Sequence, residues 1–122
     1  MLANPQRGEV LVELGELKFI ARPDFDAIMK IEANTGKTVL KLIMQADQGD
    51  LTASDVLIIL EAAGQDVTSD QLKAAAMSVG SVVFATAAVP VLLMAFAGLN
   101  NTTEEPKKKT VSVPRKSKSK ST

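Results

Sequence analysis

The stretch from position 25 to 51, FDAIMKIEANTGKTVLKLIMQADQGDL, reads as two amphipathic helices joined by a glycine turn. In the first, Phe25, Ile28, Met29 and Ile31 form a broad apolar arc. In the second, Val39, Leu42, Ile43 and Ala46 recur at helical spacing, with Lys41, Gln45 and Gln48 opposite. Gly36 and Gly49 stand where each helix must stop, at the position that favours a left-handed residue. Neither helix can hide its apolar face alone, so each needs the other and further cover.

Upstream, residues 9–22, EVLVELGELKFIAR, predict a β-hairpin around Gly15-Glu16. Glycine first in a two-residue loop fits a type II′ turn. That register pairs Leu14 with Leu17, Val12 with Phe19 and Val10 with Ala21 on one apolar face. The other face pairs Glu13 with Lys18, Leu11 with Ile20 and Glu9 with Arg22. A slip of one residue would spoil both faces. Pro23 suits the first turn of the following helix, and Asp24 and Asp26 favour its positive end.

Downstream, Thr52-Ala53-Ser54-Asp55 resembles a capping box that opens a third helix ending at Ala63, before Gly64. This helix, apolar all round at 56–60, should be buried. Thr68-Ser69-Asp70-Gln71 opens a fourth, to about Val79, stopped by Gly80. Residues 81–99, SVVFATAAVPVLLMAFAGL, lie in a charge-free interval and predict a fifth helix, which Pro90 would kink or split. The expected fold is α+β, mainly α: an N-terminal hairpin, then a four- to five-helix bundle. Residues 1–99 form the single domain, and the Lys-rich segment 100–122 is a disordered basic tail.

The 122 residues carry 14 Lys/Arg and 14 Asp/Glu, yet the charges are segregated. Residues 1–99 hold seven basic and twelve acidic side chains, a net of −5; residues 100–122 hold seven and two, a net of +5. The body is acidic and the tail basic. A basic tail binds phosphate without sequence preference, and no aromatic residue interleaves to stack on bases, so no specific nucleic-acid partner is expected.

Cys, His, Trp and Tyr are all absent. That removes disulfides, thiolate nucleophiles, Cys/His zinc sites and imidazole acid–base chemistry. Asp24/Asp26 and Asp47/Asp50 fall near helix ends, where capping and dipole roles suffice. Gly36-Lys37-Thr38 lacks the upstream glycine of a phosphate loop, since position 31 is Ile. No catalytic, metal or cofactor residue is therefore nominated, and an enzyme is not expected. The N-terminus lacks an apolar signal core, so the expected location is cytoplasmic.

Several short pieces carry a resemblance. Arg7-Gly8-Glu9-Val10, Leu14-Gly15, Arg22-Pro23 with Phe25, Ile31-Glu32 with Thr35-Gly36, and Gly49-Asp50-Leu51 follow one another in order. Over roughly residues 5–99 the chain resembles a family of small proteins from gene transfer agents and tailed phages. That family was first labelled tail tube proteins and is grouped with tail assembly chaperones. Glu16-Leu17-Lys18-Phe19 departs from the commoner glycine-aromatic pattern, and the Lys-rich tail is not a family hallmark. The resemblance implies a non-enzymatic factor that keeps the tape measure protein soluble during tail assembly. A structural tail component is the alternative the older label suggests. A small membrane protein with one span near 79–99 is another, because about twenty apolar residues can cross a bilayer.

A small body with excess apolar helix suits helix-in-groove recognition. The nominated partner surface is Val82, Val83, Phe84, Val91, Leu92, Leu93, Met94 and Phe96. Met44, Met77 and Met94 would add adaptability. Self-association is also expected, since so much apolar surface needs cover.

Overall fold

A computed structural model describes residues 2–104. The Lys-rich segment beyond 104 lies outside the described residues. The observed architecture is α+β and mainly helical. A two-stranded antiparallel hairpin, β1 (Val10–Leu14) and β2 (Leu17–Ala21), precedes five helices. These are α1 (Phe25–Thr35), α2 (Val39–Asp47), α3 (Ala53–Ala63), α4 (Ser69–Val79) and α5 (Ser81–Glu104).

The hairpin has the predicted register, from Val10 opposite Ala21 to Leu14 opposite Leu17. Gly15 has φ +64°, and Glu16 does not share a positive φ, the sign pattern of a type II′ turn. Val12, Leu14, Phe19 and Ala21 are buried on the inner face, while Glu13 and Lys18 are exposed. Glu13 faces Lys18 without closing to an ion pair, as is common for exposed charges. Glu9 does not pair with Arg22; its carboxylate accepts the Asn4 N–H at 3.0 Å.

The outer edge of β2 is covered by the segment after α3. Arg22 N–H donates to the Ala63 carbonyl at 2.7 Å, and Gln65 N–H donates to the Ile20 carbonyl at 2.8 Å. Gly64 bridges to Ala21 there. Pairing blunts an edge that would otherwise template aggregation.

Helix boundaries follow local chemistry. Asp24 caps α1 by accepting the Ala27 N–H at 2.9 Å, so Pro23 lies one residue before the cap rather than in the first turn. Thr38 and Thr52 cap α2 and α3 in the same way. At α4 the capping box is complete: Thr68 and Gln71 each accept the other's backbone N–H. At α3 only the Thr52 half forms, because the Asp55 carboxylate turns instead to Lys37, 2.6 Å away. The end of α2 is a Schellman motif. Asp50 N–H reaches the Gln45 carbonyl, Gly49 N–H reaches that of Ala46, and Gly49 has φ +75°.

The core is one cluster drawn from both strands and all five helices. α5 is its post: α2, α3, α4 and β1 all pack on it. α3 is buried through Val56, Ile59, Leu60 and Ala63, whereas Leu57 and Ile58 are partly exposed.

Three expectations need correction. α1 buries Ala27, Ile28 and Ile31, not the arc containing Phe25 and Met29. Those two lie four residues apart, roughly 120–160° round the helix from Ile31. Ala27, with its small side chain, takes the inward position instead. Pro90 does not split α5. The bond it cannot donate would run to the Thr86 carbonyl, and both residues are exposed, so water can serve that group. α5 also runs past position 100, where the tail was expected to begin, and continues to Glu104.

Two stability outcomes follow. Gly64 has an ordinary φ, but a Cβ there would sit 2.7 Å from the Leu60 carbonyl oxygen and 2.4 Å from a Val67 methyl. Gly64→Ala should cost about 1–3 kcal/mol in urea denaturation, as overpacking does. Asp55→Ala removes a largely buried partner from Lys37 and should cost roughly 1.5–3 kcal/mol by the same measurement.

Candidate docking groove

Between α2 and α5 runs an open apolar groove with two lobes. One, about 250 Å³, is lined by Ala46, Gly49, Leu51, Ser81, Val82, Ala85, Thr86 and Val89. The other, about 400 Å³, is lined by Ile43, Ala46, Asp47, Val89, Leu92 and Leu93. Ala46 and Val89 belong to both, so the lobes are continuous. Small residues at Ala46, Gly49 and Ala85 deepen the trough. Val82, Thr86, Val89 and Leu93 follow one another at intervals of four, three and four along its α5 wall. That spacing is the stripe a helix offers to another helix. Val82 is 76% exposed and Leu93 51%. On α2, Leu40 and Met44 are exposed beside Ile43. Asp47, with Asp50 just beyond, makes that edge acidic, while the α5 wall carries no charge.

The structure divides the eight nominated partner residues. Phe84, Val91 and Leu92 are core residues, Leu92 being only 1% exposed, and they present no free surface. Leu92 only floors the groove. Met94 and Phe96 are partly buried. Val82, Val83 and Leu93 are exposed, and Val82 and Leu93 line the groove. A charge-free helix gives no polar stripe from which to tell its inner face from its outer one, and this is why sequence grouped them. Leu40, Ala46 and Val89 were missed. For Leu40 the signal was the excess of apolar residues in 39–44, VLKLIM, for a helix covered on one side only.

The motif residues behind the resemblance lie in turns, at the start of β1 and in α1, and of them Gly49 and Leu51 border the groove. Gly8, φ +76°, closes a 3-10 turn at Pro5–Arg7, next to exposed Arg7 and to Glu9. Ile31 is fully buried. Glu32 accepts the Val39 N–H at 3.1 Å, satisfying a free donor at the start of α2. The Thr35 hydroxyl donates to the Ile31 carbonyl and accepts the Lys37 N–H. Gly36, φ +71°, donates its N–H to the Glu32 carbonyl. Lys37 leaves this corner to reach Asp55 in the first turn of α3. Gly49 and Asp50 make the Schellman turn, and Leu51 reaches one lobe of the groove. Phe25 is exposed.

No protein-family model, curated protein or solved structure matches the chain. Among the described residues, no group of three or more acidic, His or Cys side chains could hold a metal ion. What the groove can do is fixed by its shape and chemistry: it can take up an apolar stripe.

The division of α5 is directly measurable. Leu92→Ala should lower stability by about 2–5 kcal/mol, the range for a filled core site. Leu93→Ala should stay within about 0.5 kcal/mol, as for an exposed position. Paired urea titrations of the two variants distinguish these faces.

Proposed function

We propose that this protein is a non-enzymatic assembly chaperone that holds an amphipathic helix of a tape measure protein in the α2/α5 groove. The observation that carries the reading is the uncharged outer face of α5, left open beside an apolar flank of α2 with an acidic edge. Leu93 lies eleven positions beyond Val82, roughly 16 Å along the helix, enough to meet about three turns of a partner. The fitting ligand has an apolar stripe with a basic edge that meets Asp47 and Asp50. The resemblance carried by the pieces RGEV, R-P-x-F, IExxTG and GDL supports a link to phage-like tails, and the tape measure protein is the partner that this resemblance implies. The cytoplasm of the producing cell is then the site of action.

A second reading rests on a separate observation. Ser81–Leu99 is long and apolar enough to cross a membrane, and 28% of an 18-residue window in it is buried inside the fold. In that reading the exposed face of α5 meets lipid.

Co-expression with the tape measure protein, followed by affinity capture, tests the first reading. Leu93→Asp and Val82→Asp should each keep wild-type helicity and weaken capture at least tenfold, about 1.4 kcal/mol or more. Asp47→Lys should weaken it less, and the loss should shrink as salt rises. Undiminished capture by folded Leu93→Asp removes the groove from the interface. Recovery of the protein only in the detergent-extracted membrane fraction supports the span, and its presence in finished particles supports a structural tail role.

A further inference from the structure

The α2/α5 groove lies within reach of a segment of the same chain. α2 and α5 run in opposite directions. Gly49 and Leu51 lie beside Ser81 and Val82 in one lobe, and Ile43 and Asp47 beside Val89 and Leu93 in the other. The chain leaving α5 at Glu104 therefore stands beyond the Leu93 end of the groove. Leu93 lies eleven positions before Glu104, roughly 16 Å along the helix. The seven steps from Glu104 to Val111 reach up to about 23 Å when extended, so a turn back to Leu93 is covered.

From there the sequence reads Val111-Ser112-Val113-Pro114-Arg115-Lys116. An extended chain sets Val111 and Val113 on one side, about 6.6 Å apart. Leu93 and Val89 are spaced about 6 Å along α5, so the two pairs match. With Val111 level with Leu93 and Val113 level with Val89, Arg115 and Lys116 come beside the end of α2. There the negative end of the helix dipole adds to Asp47 and Asp50.

The surrounding charges agree with this placement. Among the described residues, Asp47 is the one charged side chain that lines either lobe. Lys41, also on α2, lines neither, and Lys37 is held by Asp55. Glu104 and Glu105 stand at the start of the turn, next to Lys107, Lys108 and Lys109, and a full link's length from Asp47. Other hollows offer no such match: one between α1 and α3 sets Lys30 beside Glu61, and one between α3 and α4 carries Lys73.

We propose that residues 111–116 dock in the α2/α5 groove of their own chain, the two valines on the α5 wall and Arg115 and Lys116 at Asp47 and Asp50. The contact rests on the reading of this groove as a docking site and adds its regulation. An incoming tape measure helix must displace the segment, and until it does the apolar wall is covered.

The chain has no cysteine, so a single Val89→Cys in the full chain places one thiol where the two lobes meet. Its rate of alkylation by iodoacetamide reports cover, because a cation docked nearby without covering the thiol would speed the reaction. Adding Val111→Asp with Val113→Asp, or Arg115→Glu with Lys116→Glu, should speed labelling roughly tenfold at low salt. These substitutions lie outside the folded body, so helicity should not change. Asp47→Lys with Asp50→Lys should speed it likewise, and combining that pair with Arg115→Glu and Lys116→Glu should restore slow labelling. Met77→Cys, away from the groove, should label at one rate with or without the tail substitutions. Equal Val89→Cys labelling with and without Val111→Asp and Val113→Asp overturns the proposal, as does failure of the charge exchange to restore protection. Protection that fades on dilution also overturns it, since cover by another copy would do so. No tape measure protein enters this measurement, so its outcome is separate from whether the groove captures one.

Discussion

A single constraint organises this fold: α5 is apolar around its whole circumference, and the rest of the chain is large enough to cover only one side. Phe84, Ala88, Val91, Leu92 and Ala95 fall on the covered side and are buried. α2, α3, α4 and β1 are arranged about that side. Each contributes a modest apolar face, and for α2, α3 and α4 no other element is packed against as extensively. The opposite side of α5 stays in water at the hydrophobic cost of its exposed area. Stability and availability for binding therefore arise from the same helix, separated only by rotation about its axis.

The body is held in register by a corner at the α1–α2 junction. Gly36 turns the chain, Glu32 satisfies the first N–H of α2, and Lys37 crosses to Asp55 at the start of α3. Three helices are thereby fixed at one point by three charged side chains and one glycine. A buried ion pair is weak evidence for net stability, because desolvation offsets its attraction. Its effect here is geometric. It sets where α3 begins relative to α2, and so which face of α2 is turned toward α5. The residues of the IExxTG piece are thus scaffolding for the groove and not its lining. A resemblance carried by such turns speaks to shape; the chemistry of binding has to be read from α2 and α5.

What sequence revealed and what it concealed divide along physical lines. The hairpin register was legible because a period of two, a glycine turn and opposed charges all agreed. Helix ends were legible because Thr38, Thr52, Thr68, Gly36 and Gly49 act within one turn of their own position. Concealed features depend on distant partners. Asp55 was read as half of a capping box, yet it answers to a lysine eighteen residues earlier. Gly64 was read as a helix stop; it also lets the chain close against β2 where a methyl group would collide. Phe25 and Met29 fitted an apolar arc, but Ala27 allowed a closer approach of α1 to its neighbours. For α5, composition alone could not distinguish Leu92 from Leu93, although one is core and the other is surface.

Pro90 adds a final step to weighing protein against lipid as the environment of the outer face. Proline has no N–H to offer the Thr86 carbonyl, and Thr86 lies in the groove wall. The Thr86 hydroxyl donates back to Val82 and does not relieve its own carbonyl. In hydrocarbon a backbone acceptor deprived of its donor is expensive, whereas an open groove leaves it water or a side-chain donor from an incoming helix. Insertion would also strip the five buried α5 residues of their packing in the core, exchanging close-packed contacts for lipid with no gain in apolar burial. Both terms favour water over lipid around the outer face of α5.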